Sequence, residues 1–189
     1  MNIGIIGSGT MGSGIAQVAA TSGWKVKLYD TNQSALDKAK AALERILKRL
    51  IEKGRIDETE KNRIQGNIQY VDSLKSLSDA DLTIEAIVEN LDIKKKVFSE
   101  LENYVSEDCI IASNTSSLSI ASIASSLQNP ERCIGIHFFN PAPLMKLVEV
   151  IPAIQTSKET LDKAIQIIKD WKDLLTQIGD NQSLLSSLN

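Results

Sequence analysis

The chain has 189 residues, 42% of them hydrophobic and 24% charged, with a formal net charge of −3 and a pI near 5.3. That length suits a domain with a full core, and the mild acidity excludes the basic footprint that nucleic acid or an anionic membrane surface requires. No apolar run approaches the roughly 20 residues of a membrane span, so a cytoplasmic protein with neither nucleic acid nor membrane as partner is expected.

The opening stretch, MNIGIIG, enters a strand pattern at once, without the charged and apolar regions of a signal peptide. Short β-branched runs then alternate with helical patterns. Strands are predicted at 2–7, 25–30, 68–71, 82–88, 109–113, 133–138 and 146–151. Helices are predicted at about 11–22, 34–53, 57–65, 92–105, 119–127 and 158–175. Strands separated by helices of this length form a mostly parallel sheet covered on both faces, an α/β architecture. Between the second and third strands the pattern changes. A long helix carries Leu36, Ala39, Leu43, Leu47 and Leu50 on one stripe, and a short helix opened by DETE follows Gly54. Residues 34–65 therefore predict an inserted helical hairpin projecting from the sheet. Cys109 and Cys133 fall in apolar strand-like runs. They read as buried thiols of a reducing compartment in preference to a disulfide or half a metal site.

The first chemistry lies in IGIIGSGTMGSGIAQVAA, where Gly7, Gly9 and Gly12 spell G-x-G-x-x-G between a strand and a helix. Gly7 permits the tight turn, Gly9 admits a pyrophosphate, and Gly12 allows close helix–strand packing, while the helix N-terminus offers N–H groups to the anion. The next strand ends in Asp30, about 20 residues on, where a carboxylate can bind a ribose 2′-hydroxyl and repel a 2′-phosphate. No Arg follows in DTNQS, which favours NAD over NADP. A purely structural glycine turn, and FAD or S-adenosylmethionine in the same cradle, are the competing uses.

The segment SNTSSLSIASI, residues 113–123, follows a strand and opens a helix. Its polar side chains gather at the carboxyl end of the sheet, where open α/β sheets bind ligands. Helix capping is the commoner use of such residues. The single histidine, His137, ends the strand CIGIHF just before an Asn-Pro turn. Glu149 lies between Val148 and Val150 on the next strand. A carboxylate there needs a partner, and a histidine within reach would be oriented and made more basic by it, as a general base requires. The alternative is a solvent-facing Glu149 on an edge strand beside a satisfied core histidine.

Together, GSGTMGSGIA, EAIVENLDIKKKVF, ASNTSSLSI and HFFNPAPLMKLVEV resemble the L-3-hydroxyacyl-CoA dehydrogenase family of the 3-hydroxybutyryl-CoA type, from residue 1 to about 170. The resemblance implies a Rossmann-like, doubly wound domain over residues 1–175 with NAD as cofactor. It implies oxidation of an (S)-3-hydroxyacyl-CoA to a 3-oxoacyl-CoA. By the same resemblance His137 is the catalytic base, Glu149 orients it, and Ser116 contacts the substrate's 3-oxygen. Asn114 lies near the nicotinamide, and Glu89 and Lys94 approach the cofactor. The hairpin contacts coenzyme A, with Lys53 matching a CoA-contacting lysine; residues 36–55 hold seven Lys/Arg against three acids, which is equally a solvated helix face.

Family members continue into a Pro-Gly-containing motif and an all-helical domain through which they form homodimers. Here KDLLTQIGDNQSLLSSLN follows Trp171, so residues 176–189 are expected to be a divergent tail and that domain to be absent. Two other uses of the same motifs stay open: a non-catalytic NAD-binding module, and a dehydrogenase for a different 3-hydroxy acid.

Overall fold

The strands are β1 (Asn2–Ile6), β2 (Lys25–Tyr29), β3 (Ile68–Val71), β4 (Leu82–Glu85), β5 (Ile110–Ser113), β6 (Cys133–Phe138), β7 (Leu147–Pro152) and β8 (Leu175–Ile178). The helices are α1 (Thr10–Thr21), α2 (Gln33–Glu52), α3 (Glu58–Gly66), α4 (Leu91–Glu102), α5 (Ile120–Ala124) and α6 (Lys158–Lys169). These come from a computed structural model that describes residues 1–171 and the backbone of 175–178. All eight strands join one sheet in the order β3-β2-β1-β4-β5-β6-β7-β8. Strands β1 to β6 are parallel to one another, β7 runs antiparallel to β6, and β8 runs parallel to β7.

Burial on both faces explains why the strands read as near-continuous apolar runs. Ile3 and Ile5 of β1 point to one face, into a core shared with α1, α2, α3 and α6, while Ile6 points to the other, against α4 and α5. The mostly parallel, doubly wound reading therefore holds. The chain reverses its winding at β1, whose neighbours β2 and β4 lie on opposite sides. At such a switch point, crossover loops leave a crevice above the carboxyl ends of the strands.

Three expectations need correction. The hairpin does not stand clear of the sheet: Leu36, Ala39, Leu43 and Leu47 are buried in the main core, with Leu50 packed against it. The apolar stripe itself requires that contact, because an exposed Leu stripe would forfeit its burial. The strand predicted over 82–88 ends at Glu85, whose carboxylate turns back to accept from the Ile87 N–H at 2.7 Å and so takes the chain out of the ladder. The helix predicted over 158–175 ends at Lys169 with Asp170 as C-cap. Trp171 is buried, its ring 5.6 Å from that of Phe138, and residues 175–178 form β8 instead. The expected tail over 176–189 thus begins inside a strand, and the rest of it lies outside the described residues.

The two cysteines are free and buried as expected. Burial pushes both thiols up to about 12, so neither offers a thiolate nucleophile near neutral pH. Among the described residues no helix is long and apolar enough to cross a membrane.

Candidate active site at the carboxyl edge of the sheet

The glycine loop is built for close backbone approach. Gly7 sits at φ +100°, and a Cβ there would stand 2.7 Å from the Ala86 carbonyl oxygen. At Gly12 a Cβ would fall 1.8 Å from the Gly7 carbonyl oxygen, so any side chain would force α1 away from β1. At Gly9 a Cβ would meet nothing within 4 Å. That open space faces the start of α1, whose N-cap Gly9 offers no side chain to the first-turn amides. Uncapped amides with room above them fit a pyrophosphate. A cleft of about 510 Å³ runs from Gly7 and Gly9 past Asp30 to Ile87, Val88 and Ile93, long and apolar enough for the adenosine half of a dinucleotide. The residues therefore fit NAD.

Asp30 does more than end β2. Its Oδ2 accepts from the Ser8 N–H at 2.8 Å and the Ser8 hydroxyl at 2.7 Å, and its Oδ1 accepts from the Asn32 N–H at 2.9 Å. The carboxylate thereby pins the glycine loop from below. Burial alone would raise this carboxyl, but the hydrogen bonds from Ser8 and Asn32 outweigh it and hold it below the usual range. A lowered folded-state value adds stability that is complete above the unfolded-chain value of about 3.9 and lost as pH falls through the folded value. The stability gap between the parent chain and Asp30→Asn should therefore be widest near neutrality and shrink at pH about 3. Urea denaturation of both chains at the two pH values measures it, and an unchanged gap contradicts the role of the charge.

The histidine and glutamate are brought together by strand register. In the antiparallel β6–β7 pair His137 stands directly opposite Glu149, where side chains on one face are neighbours. The imidazole Nδ1 lies 2.9 Å from Glu149 Oε2, with the two side chains 13% and 14% exposed. A carboxylate only accepts, so in the neutral imidazole this contact favours the proton on Nδ1 and leaves Nε2 as a lone-pair acceptor. The Phe139 ring packs on the imidazole at 4.6 Å between centroids. The turn that follows returns to the glycine helix: a Cβ at Gly14 would be 3.2 Å from Pro143 and 3.3 Å from Ala142.

The SNTSS segment joins the same edge. Asn114 Oδ1 accepts from the Phe138 N–H at 2.8 Å, tying the β5–α5 loop to the residue beside His137. Ser116 is exposed, while Ser119, not the SNTSS cluster, caps α5 through the Ser122 N–H. Below the loop lies a network that joins Lys94 and Glu89 to Glu85, a residue to which the resemblance assigns no role. Glu85, fully buried at the end of β4, accepts from Lys94 Nζ at 2.6 Å, from Ser113 Oγ at 2.7 Å and from the Ile87 N–H at 2.7 Å. Lys94 also contacts Glu89 at 3.1 Å. Glu89 accepts from the Thr115 hydroxyl and, at 3.1 Å, from the Ser117 hydroxyl. Burial alone would raise Glu89, but these bonds and the Lys94 ammonium hold it below the usual range, so it is a carboxylate.

The structure thus gathers Gly7, Gly9, Gly12, Asp30, Glu89, Asn114, Ser116, His137 and Glu149 along one carboxyl edge. Lys94 is 1% exposed, its ammonium held between Glu85 and Glu89. Lys53 is exposed at the hairpin turn. The wall of a cavity of about 280 Å³, formed in part by Leu47, Leu50, Ile56, Pro143 and Met145, does not include it. Glu85 was findable: a carboxylate inside the apolar run LTIEAIV is the same signal that marks Glu149.

A family model described as "3-hydroxyacyl-CoA dehydrogenase, NAD binding domain" matches residues 2–180. The chain is 47% identical over 181 residues to a 3-hydroxybutyryl-CoA dehydrogenase of Clostridioides difficile, covering 96% of this chain and 64% of that protein. It is 42% identical to the mitochondrial hydroxyacyl-coenzyme A dehydrogenase of Rattus norvegicus, covering 89% of this chain and 55% of the relative. Its fold matches a crystal structure of (S)-3-hydroxybutyryl-CoA dehydrogenase from Ralstonia eutropha at a TM-score of 0.92 and 39% identity, over 95% of this chain and 63% of that one. The chain thus spans less than two thirds of each of these relatives.

Proposed function

The chain belongs to the 3-hydroxyacyl-CoA dehydrogenase family by its NAD-binding domain, and on that premise we propose that its carboxyl-edge site oxidises (S)-3-hydroxyacyl-CoA thioesters of the 3-hydroxybutyryl type to 3-oxoacyl-CoA. The observation that carries this reading is the His137–Glu149 pair at 2.9 Å, at the edge that also holds the glycine loop. NAD⁺, when bound, supplies the hydride acceptor. The glycine loop would hold its pyrophosphate, and Asp30 would meet the adenosine ribose.

His137 Nε2 takes the proton from the substrate 3-hydroxyl as the carbon–oxygen bond gains double-bond character. Glu149 stabilises the imidazolium that forms, and the exposed Ser116 hydroxyl contacts the 3-oxygen. In the reverse direction the imidazolium returns its proton to that oxygen. General acid–base help of this kind contributes roughly 10²–10⁴-fold. The cavity between α1, the hairpin and the 142–146 turn supports a coenzyme A partner, with Lys53 of the hairpin turn as the lysine that would meet it. A cytoplasmic location is part of the reading, supported by two free buried thiols.

The test is acetoacetyl-CoA reduction by the purified chain, followed by NADH absorbance, with NADH binding titrated in parallel. Turnover supports the dehydrogenase reading. Binding without turnover turns the reading toward a cofactor-holding module.

A further inference from the structure

The network beneath the SNTSS loop has an unbalanced charge. Glu85 and Glu89 are two carboxylates served by one ammonium, Lys94, at 2.6 and 3.1 Å. Their other partners, the Ser113, Thr115 and Ser117 hydroxyls and the Ile87 N–H, are neutral donors. Lys94 is 1% exposed, so its charge is already shared between the two acids and is screened little by water. The triad keeps a net charge of about minus one.

Its position follows from the strand order. The β4–α4 turn that holds Glu89 and the β5–α5 loop bonded to it lie between the glycine loop on β1 and His137 on β6. A dinucleotide with its pyrophosphate on the glycine loop, and its reacting ring next to a substrate carbon whose oxygen meets His137, must lay that ring over these two segments. The oxidised nicotinamide ring is a cation and the reduced ring is neutral, while the rest of the dinucleotide is the same. A fixed negative charge under the ring attracts only the oxidised form.

We propose that the Glu85–Lys94–Glu89 triad sets the redox preference of the bound cofactor, with Glu89 as the residue that favours NAD⁺ over NADH. The proposal rests on the dehydrogenase reading for the direction in which the ring lies. Glu89 is also a structural tie to Thr115 and Ser117, and glutamine at this position keeps an acceptor oxygen for both. Charge and tie can therefore be separated.

The experiment is equilibrium binding to the purified chain, with NADH titrated by its fluorescence and NAD⁺ by competition. Glu89→Gln should weaken NAD⁺ about tenfold and NADH less than about twofold, the effect expected for one carboxylate charge at close range to the ring. Glu89→Asp, which keeps the charge, should restore most of the ratio. Thr115→Val, which removes a hydroxyl and no charge, should change the two affinities alike. Equal losses for both dinucleotides in Glu89→Gln, or no change in either, overturn the proposal. Failure of the parent chain to bind either one would instead strike at the cofactor reading beneath it.

Discussion

Replacing His137 by glutamine is expected to lower acetoacetyl-CoA reduction by roughly 10²–10⁴-fold and leave NADH affinity within about twofold. The split follows from where the side chain sits. His137 is the penultimate residue of β6, two strands from β4 and three from β1, while the cleft with Asp30 and the glycine loop lies over β1 and β2. Losing the imidazole removes the acceptor for the substrate proton without touching the dinucleotide cradle. No second histidine exists in the chain to replace it. Glutamine is close in size and can still donate to Glu149, so the buried carboxylate keeps a partner and the fold is preserved. Glu149→Gln should fall between the parent and His137→Gln, because Nε2 survives but nothing stabilises the imidazolium. Steady-state kinetics on the two variants, beside fluorescence titration of NADH, give the comparison. If His137→Gln keeps more than about a tenth of the parent rate, the base is elsewhere.

Much of this site was legible in the sequence, for two physical reasons. The glycine loop is a local device: turn, amide cradle and helix start are consecutive, so spacing alone specifies them. The His137–Glu149 pair is not local, but a strand followed by a turn and a second strand constrains register, and a lone carboxylate between valines asks for one partner. The β4 end was misread because its termination depends on Glu85 turning back on Ile87, which composition reads as one more polar residue in an apolar run. The hairpin was placed correctly in sequence and wrongly in space. Its leucine stripe reports that it is buried, not against what. For Lys94 the resemblance pointed to the cofactor edge, yet the ammonium is enclosed by two carboxylates contributed by β4 and the turn after it. Nothing in DIKKK distinguishes that lysine from its exposed neighbour Lys96 except helix phase. At the end of α6, the run WKDLLTQI has helical composition, and only the burial of Trp171 against Phe138 shows that the chain has turned back to the sheet.

The same enclosed lysine carries the largest effect expected on stability. Lys94→Met should destabilise the chain by about 3–5 kcal/mol, because it leaves Glu85, fully buried, without its counter-charge. In a domain of this size that corresponds to a fall in Tm of about 10 °C or more. The methionine fills much of the lysine stem's volume, so lost packing explains little of it. Glu85→Gln should cost a comparable amount for the mirror-image reason: the Lys94 ammonium would remain buried with only Glu89, which is partly exposed, to answer it. The double variant decides between a charge effect and a packing effect. If the cost of each single change is an unpaired charge, then Glu85→Gln with Lys94→Met should be markedly less damaging than the sum of the two, since each removes the charge the other strands. Chemical denaturation of the four chains gives the coupling directly. Additive losses would mean that Glu85 and Lys94 do not act as a pair, and the β4–α4 turn would need another anchor. The cycle also has a reading at the active edge. The double variant keeps Glu89 but frees it from Lys94, so it should fold while holding the SNTSS loop less firmly, and its affinity for both dinucleotides should fall together.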